Sequence, residues 1–260
     1  MTDWSTYIAG FHARHPGITE DVLSRARSGD LTPYRWLARA VSGARVLDLA
    51  CGNSALAATL TAAGAGRPTP PWVVGIDLSR PELLDGRARG RAGPLVQGDA
   101  ARLPFRDGSF DAVTSSAGLM VTGQVPTVLG EAARVLRVGG VLAATVASAV
   151  PLRPHDMRIL APLTARLRTT PQFPAGAELT GLAGSLQTAG FRVLEDARER
   201  FAFVVRTGAD ARLLLRSLYL PDTSDQRRES AAAWLTERAE AAESGVEVAI
   251  PVRRVVAQRQ

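Results

Sequence analysis

Lysine is absent from all 260 residues, so the 31 cationic side chains facing 25 carboxylates are all arginine. That absence excludes chemistry that runs through a lysine Schiff base, including pyridoxal enzymes and lysine aldolases. A Walker A loop places its lysine on the phosphates, so P-loop hydrolases and kinases are excluded as well. Dehydrogenases built on a Tyr-Lys pair go with them. Asparagine occurs once, at Asn53, while alanine, glycine and arginine abound, as a G+C-rich genome would produce. The lone cysteine, Cys51, permits neither an internal disulfide nor a cysteine-based metal cluster. His12, His15 and His155 are too few and too scattered to suggest a zinc site. The longest apolar run, Val141–Val150, is far short of a membrane span, and the first residues lack the apolar heart of a signal peptide. A cytoplasmic protein without a membrane partner is the expectation.

What is present is a modest excess of positive charge, +6. It divides as +1, +2 and +3 over residues 1–40, 41–150 and 151–260, with no stripe or cluster. Proteins that bind nucleic acid concentrate such charge, so no nucleic-acid partner is expected. The length suits one α/β domain with small additions.

The first 40 residues read as short helices. Thr19-Glu20-Asp21 forms an N-terminal cap region, Gly29 stops that helix, and Thr32-Pro33 opens another. From Arg45 apolar runs alternate with helical segments. Strands are expected at 46–49, 72–77, 94–98, 110–114 and 141–146, helices at 53–63, from 80, and at 125–136, and a turn-rich loop at 64–71. This alternation means a doubly wound, Rossmann-like parallel sheet. Prolines punctuate 151–178, which holds one helix and loops. A helix is expected over 178–189, a strand within 191–205, a helical stretch over 208–243 broken at Pro221, and a final strand at 246–257. Residues 1–40 would form a helical lid on an α/β domain of 41–260, with cap insertions at 151–178 and 208–243.

Ligands of such sheets bind at the carboxyl ends of the strands. There the chain carries Asp48-Leu49-Ala50-Cys51-Gly52-Asn53-Ser54, a loop of small residues that lets the backbone approach a ligand. Asp77 closes the second strand, Gly98-Asp99-Ala100 follows the third, and Thr114-Ser115-Ser116 ends the fourth. The series resembles class I S-adenosylmethionine-dependent methyltransferases, particularly the small-molecule group related to quinone biosynthesis, over residues 45–145. The resemblance implies a seven-stranded sheet whose last strand is antiparallel. It also implies roles: the loop from Asp48 through Ala50 and Gly52 to Ser54 would hold the methionine part and ribose. Asp77 would take the ribose hydroxyls, Leu78 the adenine face, Asp99 and the Ala100 amide the adenine edge, and Ser115 the methionine amino end. S-adenosylhomocysteine would be the product. Asn53 and Ser54 could add hydrogen bonds to the cofactor carboxylate. Ala50 and Ser54 stand where the family usually has glycine. A dinucleotide is the competing cofactor, since Ala50-x-Gly52-x-x-Ala55 loosely imitates its fingerprint.

A sulfonium methyl is already electrophilic, so the protein must mainly align and desolvate. A hydroxyl or acidic-carbon acceptor would benefit from a base, for which His12 and His155 are the candidates. Tyr7, Tyr34 and Tyr219 are weaker ones. The acceptor pocket should draw on residues 1–40, the Pro-rich segment and 208–243, through Phe11, Trp36, Met157, Phe173, Leu214, Leu218 and Tyr219. Arg153, Arg158, Arg212 and Arg216 in these regions read as solvated faces. The expected activity is methyl transfer to a small molecule of specialised metabolism by a monomer or homodimer. A non-methylating reaction on the same fold, such as cyclisation or elimination, is the alternative.

Overall fold

β1 (Arg45–Leu49) and β2 (Trp72–Asp77) are apolar runs without polar alternation, the pattern of strands covered on both faces. In the computed structural model, which describes residues 2–65, 70–91 and 93–260, they pair in parallel with Asp48 opposite Gly75. Residues 66–69 of the loop expected at 64–71 lie outside the described residues. β3 (Leu95–Gln97), β4 (Phe110–Ser116) and β5 (Leu136–Ala147) continue the parallel sheet. β6 (Phe191–Val205) and β7 (Val246–Arg259) form a long antiparallel pair. The order is β3-β2-β1-β4-β5-β7-β6, with β7 antiparallel to both neighbours. The seven-stranded sheet with its antiparallel last strand is therefore present. β1 lies between β2 and β4, so the chain leaves it toward opposite edges and opens a crevice at its carboxyl end.

Helices α4 (Ala55–Ala63), α5 (Arg80–Ala88) and α6 (Val125–Val135) are the crossovers of the parallel part. β5 begins at Leu136, directly after α6 and five residues earlier than the apolar run indicates, because it carries an irregular stretch beside Phe110–Ala112. The helix expected over 178–189 is shorter: a 3-10 turn at Ala177–Leu179 is followed by Gly181 in the left-handed region, and α8 spans Leu182–Thr188.

The N-terminal helices are α1 (Trp4–Arg14), α2 (Ile18–Arg25) and α3 (Pro33–Ala38). Thr32 accepts from the Arg35 amide at 3.1 Å and Pro33 sits in the first turn, so α3 starts where its cap residues say. The two insertions, α7 (Met157–Leu167) and α9 (Gly208–Arg216) with α10 (Asp225–Glu240), pack on each other around Leu163, Leu214 and Leu235. Their common layer rests on Phe203 and Val205 of β6. Phe191, Phe201 and Phe203 are fully buried, each worth about 2–3 kcal/mol in transfer terms.

Arginine dominates the β6–β7 strand pair. Arg200 grips Asp156 through two bonds of 2.9 and 2.6 Å, Arg253 grips Asp196 at 2.8 and 2.7 Å, and Arg254 grips Glu195 at 3.0 and 2.6 Å. The Arg254 guanidinium also lies over the Trp36 ring, 4.3 Å from its centre.

Candidate active site

The loop after β1 folds as its small residues allow, but two of them take backbone conformations that favour glycine. Ala50 has φ +49° and Ser54 φ +63°, beside Gly52 at +51°. The methyl of Ala50 is accommodated from across the fold: a β-carbon at Gly118 would lie 2.6 Å from both Ala50 Cβ and Ser115 Oγ. Gly118 thus vacates the space that glycine would leave at position 50.

Asp77 closes β2 at the mouth of the crevice. Its carboxylate accepts from the Gly52 amide at 2.8 Å and the Ser79 amide at 2.7 Å, so loop and second strand are tied together. Burial pushes its carboxyl above the ordinary range, against the pull of those two amides. Asp48 is 1% exposed; one oxygen accepts from Thr114 Oγ1 at 3.0 Å while the other has no partner. Burial pushes it up to about 7. Ser115, wholly buried at the end of β4, likewise keeps an unpartnered hydroxyl. Leu78 is largely exposed, an apolar surface beside the crevice. Asp99, also exposed, turns one oxygen back to the Ala101 amide at 2.8 Å, which orders the turn containing Ala100.

Asn53 departs from expectation. Its amide donates to Asp85 at 2.8 Å and accepts from Arg91, so the side chain is committed to α5 and its neighbourhood rather than to a ligand carboxylate. The Ser54 hydroxyl points to Cys51 Sγ at 3.8 Å and makes no cap bond to α4. Cys51 is buried, which pushes its thiol up and leaves it a packing residue.

Two further acids complete the site: Glu20, which sequence reasoning placed in a helix cap, and Glu82, which it did not single out. Glu20, in the first turn of α2, is buried with one oxygen 3.3 Å from the Asn53 amide; Glu82, in the first turn of α5, is 1% exposed. Glu82 accepts from the Gly17 amide at 2.9 Å and meets His12 Nδ1 at 2.7 Å. The other ring nitrogen of His12 lies 2.9 Å from the Tyr219 hydroxyl. Burial pulls His12 down, but Glu82 outweighs it, with Glu20 and Asp77 adding, so the imidazole is raised above its usual value. Tyr219 is pushed well up, by burial first and the field of Glu20 second. His155 stands apart: its half-exposed ring is 3.4 Å from Asp156, an acid already gripped by Arg200. The structure thus pairs one candidate histidine with an orienting carboxylate and leaves the other as a surface contact.

The three regions expected to supply an acceptor pocket do meet. Phe11 of α1, Tyr219 after α9 and Phe173 of the Pro-rich segment share one apolar cluster with Val121, which follows β4. Phe11 and Tyr219 contact edge-on at 4.6 Å, Phe173 and Tyr219 at 5.7 Å. Trp36, Met157 and Leu214 lie outside it: Trp36 packs with Phe201, Leu214 in the α7–α9–α10 layer, and Met157 is exposed. Arg216 is half-exposed and only 3.6 Å from Glu229, a solvated pair.

Residues 47–144 match the family described as "Methyltransferase domain". Over that stretch, well under half of its length, the chain is similar to methyltransferase domains. A curated relative, the demethylmenaquinone methyltransferase of Beutenbergia cavernae, is 38% identical over 151 residues, covering 55% of this chain. The match spans 58% of that relative's own length. Among solved structures, the cyclase SpnF superposes with a TM-score of 0.60 at 18% identity, covering 97% of this chain and 94% of its own. A methyltransferase from Thermotoga maritima gives 0.58 at 15% identity, covering 97% and 100%. At such identities the two structures establish the methyltransferase fold alone.

The residues around the β1 loop fit S-adenosylmethionine, which carries a sulfonium and an ammonium. Asp48, Glu20 and Ser115 each hold a buried polar atom without a partner, and Asp77 and Glu82 stand beside them. Unlike a dinucleotide, whose pyrophosphate outweighs any pyridinium charge, this ligand brings net positive charge to those acids. A pyrophosphate would seek the amides at the start of α4, where the Glu20 carboxylate already accepts from Asn53.

Proposed function

We propose that the chain transfers the methyl group of S-adenosylmethionine to a small, flat acceptor bearing an ionisable hydroxyl or acidic carbon. The observation that carries this reading is the set of buried carboxylates with open oxygens gathered around the β1 loop, next to an aromatic cluster. When bound, the cofactor supplies an electrophilic methyl on a positively charged sulfur and leaves as S-adenosylhomocysteine. In this reading the loop from Asp48 through Ala50 and Gly52 to Ser54, together with Asp77, Leu78, Asp99, Ala100 and Ser115, binds the cofactor. The chain's own chemical contribution is alignment, exclusion of water and removal of one proton. Glu82 bonds His12 Nδ1 and so directs Nε2 toward Tyr219 and the aromatic cluster. The raised basicity of His12 suits proton uptake there. The Tyr219 hydroxyl, held well above its usual pKa, serves as donor or relay rather than as base.

Residues 1–40 act as a lid, supported by the bonds from α1 and the α1–α2 turn to Glu82 of α5. The cap insertions line the acceptor side through Phe173 and Tyr219. The relative named demethylmenaquinone methyltransferase makes a demethylated naphthoquinol a first acceptor to test, and planar aromatic hydroxyls follow. Cytoplasmic action in specialised metabolism, as a monomer or homodimer, completes the reading. The single buried cysteine is compatible with a reducing compartment, and no described helix is long and apolar enough to cross a membrane.

The test is calorimetry with S-adenosylmethionine and NAD, followed by mass spectrometry of turnover mixtures. Binding of the first ligand alone, and acceptor-dependent release of S-adenosylhomocysteine, is the expected result. Product formed without S-adenosylhomocysteine would replace methyl transfer with a non-methylating reaction. Replacing His12 by Ala should lower turnover by about 100-fold or more while S-adenosylmethionine still binds.

A further inference from the structure

We infer that Glu20 is a ligand-contacting residue whose carboxylate receives the ammonium group of S-adenosylmethionine. The inference rests on the cofactor assignment proposed above and adds a residue from outside the strand-end loops.

The start of α2 is laid directly on the β1 loop. The Gly17 amide is held by Glu82, and a β-carbon at Gly17 would lie 2.5 Å from both the Asn53 and the Asp85 side chains. This packing drives Glu20 over Gly52, where any β-carbon would collide with Glu20 Oε1. Oε1 takes the Asn53 amide at 3.3 Å, and Oε2 is buried with no partner. Capping α4 would explain the first oxygen but not the second. The charged and titratable groups that face it come from five places: Glu82 of α5, His12 of α1, Tyr34 of α3, Tyr219 after α9 and Cys51 of the β1 loop. Glu82 repels. His12 attracts, but both its ring nitrogens are engaged by Glu82 and Tyr219. Among the described residues no donor therefore satisfies Oε2, and a buried carboxylate in that position is destabilising until one arrives.

The expected ligand has one group that meets the need. Its sulfonium is charged but carries no hydrogen on the sulfur to donate, whereas the ammonium brings three donors with its charge. Burial and the Glu82 charge push Glu20 up to about 8, so its proton must leave as the ammonium is taken at neutral pH.

Calorimetric titration of the full chain and of Glu20→Gln with S-adenosylmethionine, S-adenosylhomocysteine and methylthioadenosine separates the possibilities. Methylthioadenosine lacks the amino-acid end. The substitution should weaken the first two by tenfold or more and leave methylthioadenosine unchanged. Glu20→Met, equally long but without an acceptor, should show the same selective loss, with thermal melting confirming that both variants fold. Titration in buffers of different ionisation enthalpy at pH 7 should show fewer protons released by Glu20→Gln than by the unaltered chain. Unchanged affinity for both amino-acid ligands would reduce Glu20 to a helix cap. A loss for S-adenosylmethionine alone would move the contact to the sulfonium, and equal loss for methylthioadenosine would mean loop distortion; each overturns the inference. Failure of the unaltered chain to bind S-adenosylmethionine would instead overturn the cofactor assignment.

Discussion

Two regions of this sheet treat their acids in opposite ways. Along β6 and β7, acids meet guanidinium groups in two-bond geometry: Asp156 with Arg200, Asp196 with Arg253, Glu195 with Arg254. At the carboxyl end of β1, Asp48, Glu20, Asp77 and Glu82 gather with no arginine bonded to any of them among the described residues. Asp156 is accordingly held down to about 2 by Arg200, while burial lifts Asp48 to about 7 and Glu20 to about 8. A chain with 31 arginines could neutralise the second group and does not. Charge paired within the protein stabilises the fold; charge left open stores free energy for a cationic ligand.

The contrast breaks first at Arg200. Arg200→Ala leaves Asp156 buried with only the Arg153 amide and the half-exposed His155 beside it, and urea unfolding should show a loss of about 3 kcal/mol, against a much smaller change for an apolar replacement of both partners. In the other region the effect should fall on binding. Asp77→Ala should weaken S-adenosylmethionine by at least tenfold, about 1.4 kcal/mol, in a protein that remains folded. Unchanged affinity in calorimetry would sink the site.

The pH dependence of stability should also differ in sign between the two regions. The lowered Asp156 stabilises the fold above the ordinary carboxylate range, and that contribution is lost as pH falls toward 2. The raised Asp48 and Glu20 favour the fold below the ordinary carboxylate range, and their contribution is lost as pH rises through 7 and 8. Denaturation of the free protein between pH 6 and 8 should therefore show stability falling by about 1 kcal/mol per pH unit, with a flatter slope in Asp48→Asn. The smallest effect is expected at Ala50, whose positive φ suits glycine. Ala50→Gly should stabilise the loop by about 1 kcal/mol in thermal or urea melts.

Most of the sheet could be read from residue patterns, because the strands of the parallel part are apolar runs closed by turns, and all but β3 lead on to a helix. The loop, Asp77 and Ser115 could be placed for the same reason: strand ends are fixed once the strands are. Glu20 and Glu82 could not. Each stands in the first turn of a helix, where acids are common for dipole reasons, and nothing local distinguishes an exposed cap from a buried one. The match of Ala50 to Gly118 was equally hidden, since it joins two loops far apart in the chain. The pairing of His12 with Glu82 spans 70 residues and depends on how α1 crosses α5. Helix spacing carries no record of that.

β7 lies between β5 and β6 although it follows both in the chain. During synthesis, then, β6 emerges before the strand it pairs with along its length, with only the bridge from Arg27 to Ala202 open to it until β7 has been made. Its first ten residues, with Glu195, Asp196, Arg198, Glu199 and Arg200, are charged enough to discourage pairing with another copy in the interval. Arginines on β7 then neutralise two of those acids, so the side chains that protect the unfinished sheet also fasten the finished one.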